Sequence, residues 1–181
     1  MVVTPFCGIN HRCGRLRGLT LSLEEKEETV MMLLYRLVRL IETHSEALAS
    51  TLLAKVQESE HTHEFRKVSP EELRERVYEI YRHLGDWLLG KTEFDIEKRY
   101  LEIGARRAQQ GVPLSQLVMV IILTKDNLWE FLRKESPLDR PVEVFGELEM
   151  LQLLEQFFDR AIFYAALGYE RAIVTTPAGK V

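Results

Sequence analysis

The sequence predicts an all-α chain, and three observations carry that reading. Apolar residues recur at intervals of three, four or seven nearly everywhere after residue 22. That is the repeat of one helix face, not the alternation of a half-buried strand. Helix-start and helix-stop residues punctuate the pattern at Ser22, Ser69, Gly90, Gly111, Pro113 and Pro141. With 181 residues, 46% apolar and 29% charged, the chain has material for one domain with a proper core.

Ser22 followed by Glu25 reads as a capping box. Val30, Leu34, Leu37, Ile41, Leu48 and Leu52 then form one face of a first helix running to about Glu58, and a polar stretch follows from Ser59 to Phe65. Ser69-Pro70-Glu71-Glu72 starts the second helix: Ser69 caps, Pro70 suits the first turn and Glu72 completes a box. Its stripe is Leu73, Val77, Ile80, Leu84 and Leu88, and Gly90 ends it. A third helix is expected from about Phe94 to Gln110, with Tyr100, Ile103, Gly104 and Ala108 on one side.

Gly111 fits the position just past a helix end, where a left-handed backbone suits glycine. Pro113 fits the first turn of the next helix, while Val112 between them is a poor cap. Leu117 to Leu123 are all apolar, so the fourth helix is greasy on every side and belongs in the middle of the domain. A buried strand is the rival reading, but the stripe continues in helical register through Leu128, Phe131 and Leu132.

Pro137 and Pro141 mark the last loop, and a long fifth helix spans about Val142 to Ala172. It carries two neighbouring apolar stripes. One is Val144, Leu148, Leu151, Phe158, Ile162 and Ala165; the other is Met150, Leu154, Phe157, Ala161, Tyr164 and Gly168. Together they span on the order of 170°, against the ~100° that faces a single core. The expected organisation is a tail over residues 1–22, a domain over 23–172, and a C-terminal tail or linker stub over 173–181.

A net charge of −4 argues against a nucleic-acid surface, which needs a clustered basic face. No run approaches the ~20 apolar residues of a spanning helix. Arg12, Arg15 and Arg17 give the start an acid-free, basic character, but Pro5, Gly8, Gly14 and Gly18 spoil an amphipathic targeting helix. Met31 and Met32 lie downstream, so the start site itself is open. Cys7, His11 and Cys13 lack a fourth ligand and a knuckle spacing, so no metal is expected and the setting is read as a reducing cytoplasm.

The stretch Tyr100 to Leu132 resembles the signature of the RsbRD N-terminal domain family, at Tyr100, Gly104, Arg107, Ala108, Gly111, Val112, Pro113, Leu114 and Trp129. "SPEELRERV" and "FFDRAIFYAALGYERA" resemble it as well, so the likeness covers roughly residues 30–172. The resemblance implies a globin-like helical sandwich of five or more helices without haem, usually dimeric. It implies a sensory input module of bacterial stress signalling, acting on a STAS-type or kinase effector. The chain ends soon after this unit, so stressosome assembly by it alone is not expected; whether it stands alone or belongs to a longer protein is open.

A haem globin needs a proximal histidine facing a pocket. The alternative function, a haem or small-ligand sensor, therefore falls on His44, between Ile41 and Leu48, or His83, at the edge of the second stripe. His61 and His63 sit in the polar stretch, where solvation outweighs chelation. No nucleophile, phosphate-loop or zinc-protease motif occurs, so an enzyme is not expected and no cofactor is assigned. Glu71, Glu72 and Glu75 read as helix-start charges. Arg106 and Arg107 read as partners of the last carbonyls, with an anion site as the other option. Trp87 and Trp129 read as core residues before cavity linings.

The second stripe of the last helix, Met150, Leu154, Phe157, Ala161, Tyr164 and Gly168, is expected to form a homodimer interface, because Ala161 and Gly168 admit a close partner. The rival is that the sandwich buries both stripes itself. Gly104, Gly111 and Pro113 are expected to be structural.

Overall fold

A computed structural model describes residues 23–135 and 141–175. Six α-helices carry it: α1 (Leu23–Thr43), α2 (Ser45–Glu58), α3 (Pro70–Arg82), α4 (Glu93–Gln109), α5 (Leu114–Glu135) and α6 (Pro141–Thr175). A 3-10 segment, Glu60–Lys67, joins α2 to α3, and a π-turn, Asp86–Gly90, precedes α4. No strand occurs among the described residues, as the helical period requires. The basic tail with Cys7, His11 and Cys13, the Ser22 cap and Pro137 lie outside the described residues.

The first helix expected from the sequence is two. His44 leaves helical geometry at φ −101°, ψ 13°. Its ring Nδ1 bonds the carbonyl of Leu40 at 2.8 Å, a side-chain bond that competes with the helix ladder. One irregular residue does not disturb the stripe, so Ile41 and Leu48 both reach the core. The second helix also breaks early, at His83, and ends in a π-turn closed by Lys91 N–H to the Asp86 carbonyl at 2.7 Å.

Ser69 caps α3 as expected, accepting from the Glu72 amide at 3.2 Å. The expected return bond is replaced. Glu72 directs its carboxylate at Arg106 and Arg107 on α4, while the Ser69 hydroxyl donates to Glu71 at 2.7 Å. The full capping box belongs to α4, between Thr92 and Asp95, where Thr92 N–H reaches the Asp95 carboxylate at 2.9 Å.

The α4–α5 corner is a Schellman turn. Gly111 sits at φ +70°, its N–H bonds the Ala108 carbonyl at 3.0 Å, and Val112 N–H bonds the Arg107 carbonyl at 3.1 Å. Val112 is fully buried, so the residue that makes a poor cap is the apolar plug that accompanies this motif. Pro113 stands at the cap itself, its carbonyl accepting from Gln116 and Leu117, one position earlier than expected. A Cβ on Gly111 would touch nothing within 4 Å, so only the backbone conformation demands glycine. Gly111→Val is therefore expected to lower stability by about 1–3 kcal/mol. Gly111→Asn should lose much less, since asparagine visits the left-handed region. Thermal melts of the two variants check this, and equal melting temperatures would show that the left-handed backbone is not what limits the position.

Helix α5 is central, touching α1, α2, α4, α6 and the 3-10 segment. It is not uniformly apolar at its contacts. Gln116, Thr124 and Asn127 are buried, while Val118, Met119, Ile122 and Leu123 are only partly covered. The buried groups are paired. Asn127 donates to the Leu48 carbonyl at 3.0 Å and to the Tyr81 hydroxyl at 3.3 Å, and Tyr81 donates to the Thr124 carbonyl at 3.1 Å. Burial pushes the Tyr81 phenol well above its ordinary range, so it stays neutral and keeps that donor. Gln116 accepts from the Glu64 amide at 2.8 Å and so holds the 3-10 segment to α5.

Most of the second stripe of α6 faces the chain's own core. Met150, Leu154 and Ala161 are 0% exposed and Phe157 is 3% exposed, all inside the chain's own core. Gly168 is buried against α4, and Tyr164, partly covered, donates to Glu93 at 2.8 Å. The placement of a dimer interface on these six residues is therefore corrected: α6 packs along α4, α1 and α5, and its wide apolar arc is divided among them. The small residues serve close approach, but within one chain. A Cβ on Gly104 would lie 2.0 Å from the Ala165 carbonyl oxygen, and one on Gly168 would lie 2.2 Å from that of Leu101. The α4 and α6 backbones touch.

Candidate functional site

The haem alternative rests on the histidines. His44 lies at the α1–α2 break, exposed, with its ring 5.3 Å from that of Phe131. His83 is exposed, with Nδ1 3.7 Å from the Asp86 carboxylate. Neither lines either of the two cavities described below, whereas an axial histidine must face a pocket. His61 and His63 are exposed too, and His63 Nδ1 bonds the Glu60 carbonyl at 2.8 Å. Among the described residues no three His, Cys, Asp or Glu side chains group as a metal site would.

The tryptophans are accounted for by packing. Trp87 is buried, tilted against Phe157 at 6.0 Å, with Lys91 and Arg99 each 5.8 Å from its ring centre. Trp129 donates its indole N–H to Glu155 at 3.3 Å.

A cavity of about 60 Å³ lies where α3, α4 and α5 converge, with Phe158 of α6 and Phe65 of the 3-10 segment also on its wall. The helical period builds it. Leu73, Val77 and Ile80 lie along one face of α3, and Leu117, Val120, Ile121 and Thr124 along one face of α5. Those two faces, with Tyr100 and Ile103 of α4, make most of the wall apolar. Three arginines complete the lining: Arg76 from α3, and Arg106 and Arg107 from the last turn of α4. A second cavity of about 290 Å³ shares Phe65 and Leu73 with the first and carries Arg66.

Arg107 is the unusual member, with only 5% of its side chain exposed. Its Nη1 donates to Glu72 at 3.0 Å and to the Gln110 side chain at 2.5 Å, and its guanidinium lies over the Phe65 ring at 5.6 Å. Its Nε is buried without a hydrogen-bond partner. Arg106 shares the same carboxylate, 3.5 Å from Glu72. Arg76 takes part in no ion pair among the described residues. Burial, with Arg106 and Arg76 nearby, lowers the Arg107 pKa against the support of Glu72, and the guanidinium remains charged. Two of the three cations, Arg106 and Arg107, thus share one carboxylate.

Glu72 responds in the opposite sense. Burial raises its pKa, but the hydrogen bond and charge of Arg107, with those of Arg106, outweigh this and hold it below the ordinary 4.5. A carboxyl depressed on folding contributes stability above its unfolded pKa and loses it as pH falls through the folded one. Glu72→Gln should therefore flatten part of the decline in stability between about pH 5 and pH 3. Urea midpoints across that range measure it, and parallel curves for the two proteins would refute the coupling.

The sequence marks Arg106 and Arg107, chiefly as partners of helix carbonyls, and Glu72 as a cap, while Arg76 carries no signal of its own. Their meeting across α3 and α4 has no local signal, although Arg76 follows Leu73 and Glu72 at the three- and four-residue spacing of one face.

Helices α3, α4 and α5 thus meet around an arginine-lined cavity. The chain belongs to the family described as the RsbT co-antagonist protein rsbRD N-terminal domain, whose model matches residues 27–173. No curated protein and no solved structure gives a match. The match spans all of α2 to α5 and nearly all of α1 and α6, so the globin-like helical sandwich expected from the resemblance is the fold of this chain. Among the described residues no helix is long and apolar enough to cross a membrane.

Proposed function

We propose that this chain is a non-enzymatic sensory module of bacterial signal transduction, working in the cytoplasm, and that α6 carries its output to a STAS-type or kinase effector. The observation that supports this is the backbone contact between α4 and α6. The last turn of α4 lines the cavity, and the same helix touches α6 through Gly104 and Gly168. Such a contact has no side chain to absorb a displacement, so a change at Arg106 and Arg107 moves α6 as well. Packed interfaces respond by shifting as units rather than by deforming.

The homodimer belongs to the same reading, on a different surface from the buried stripe. α1 and α6 pack on each other, and exposed apolar side chains on both, Met31, Met32 and Tyr35 on α1 and Leu148, Phe163, Ile173 and Val174 on α6, support a second copy there. Light scattering tests it, and a monomer at tens of micromolar ends it. The signalling role is tested by deleting the gene in its host and reading a general-stress reporter under heat, salt and ethanol. Altered induction restored by the wild-type gene supports the role; induction identical to wild type under all three removes it.

A further inference from the structure

The cavity between α3, α4 and α5 combines two demands that one kind of ligand meets. Its wall is apolar, and its lining includes Arg76, Arg106 and Arg107. The carboxylate nearest them, Glu72, is already engaged by both Arg106 and Arg107. Arg107 is nineteen-twentieths buried, and its Nε–H has no acceptor. A buried donor on a charged group calls for an acceptor, and neither the protein's own carboxylate nor Gln110 supplies one to Nε. Guanidinium groups present paired N–H donors that match the two oxygens of a carboxylate.

Volume and polarity narrow the class further. The cavity holds about 60 Å³, less than half of the ~150 Å³ that accommodates benzene in an engineered apolar cavity. That is room for a tail of a few carbons. A bare inorganic anion would leave Val77, Ile80 and Ile121 without a partner. A dianion would have to shed a large hydration shell against an apolar wall.

We propose that this cavity is a binding site for a short-chain aliphatic carboxylate, its carboxylate held by Arg107 with Arg76 and Arg106, and its tail among Val77, Ile80 and Ile121. Helix α4 supplies two of the three arginines, so occupancy draws the last turn of α4 toward α3. The proposal deepens the sensory reading by naming the ligand class. The binding measurement does not pass through signalling, so the two fail separately: a chain that signals without binding such an acid loses only this proposal.

The experiment is calorimetric titration of the full chain with propionate, butyrate, octanoate, chloride and inorganic phosphate at one ionic strength and neutral pH. Propionate or butyrate is expected to bind at least tenfold more tightly than chloride or phosphate, and octanoate more weakly than butyrate. Arg76→Gln is expected to weaken butyrate about tenfold, as loss of one charge-assisted contact would. Arg107→Gln should abolish binding. Because that variant removes a buried residue and can fail to fold, Ile80→Phe supplies a second arm: it fills the tail space, leaves the arginines in place and should weaken butyrate more than chloride. Equal affinity for butyrate and chloride, tighter binding of octanoate, unchanged affinity in Arg76→Gln, or no heat with either short acid at millimolar concentration overturns the proposal.

Discussion

Gly104→Ala is expected to destabilise the protein, although it replaces the helix-breaking residue with the best helix former. In an open helix that exchange gains about 0.8–1.0 kcal/mol. Here the new methyl group would start 2.0 Å from the Ala165 carbonyl oxygen and 2.8 Å from the Tyr169 amide nitrogen. Both are backbone atoms, so no rotamer change relieves the clash and α6 must move bodily. Overpacking of this kind costs about 1–3 kcal/mol and more where the obstacle is rigid. We expect the upper end, because Gly168 meets Leu101 in the same way and displacing one contact strains the other. Denaturant midpoints of Gly104→Ala, Gly168→Ala and the double variant measure it. The double variant should lose clearly less than the sum, since a single displacement of α6 relieves both clashes. A Gly104→Ala protein as stable as wild type would mean that the two helices do not touch there.

Ala161→Glu is expected to abolish the folded state. Ala161 is 0% exposed, next in helical sequence to Phe157 and Phe158, whose rings meet edge to face at 5.1 Å. A carboxylate placed there would lose its hydration and displace core side chains, a penalty of several kcal/mol against a total stability of about 5–15 kcal/mol. Circular dichroism should show loss of cooperative melting near neutral pH. Light scattering should report unfolded or aggregated material rather than a folded monomer. A well-folded monomeric Ala161→Glu would restore the reading in which this stripe lies between two copies.

The contrast between these two positions shows where sequence information stops. Ser69 and Gly111 were legible because their signals are local: a hydroxyl three residues before an amide, and a glycine where the helix turns left-handed. The break at His44 was not, since one irregular residue leaves the three-and-four spacing intact on both sides. Thr92 and Asp95 carry an ordinary capping pattern, which a helix start at about Phe94 leaves out. Gly168 announced close approach correctly, yet a small residue names no partner, and α4 of the same chain filled the notch assigned to a second copy. The arginine cavity was the least legible feature. Arg107 joins Glu72 and Arg76 only once α3 and α4 are docked, and each alone looks like a solvated helix charge.

The glycine contact also imposes an order of assembly. Gly104 and Gly168 stand 64 positions apart. Neighbouring pairs such as α2 with α3 can meet early, because the loop between them is short. Helix α4 has no such early companion, for most of its packing is supplied by α6, the last of the six helices to be synthesised. A growing chain therefore carries α4 with a bare glycine notch until the ribosome has released residues near 168. Until then the notch is a landing place for any helix with small residues on one face, and a nascent chain stalled between α5 and α6 is where mispairing or chaperone capture should concentrate.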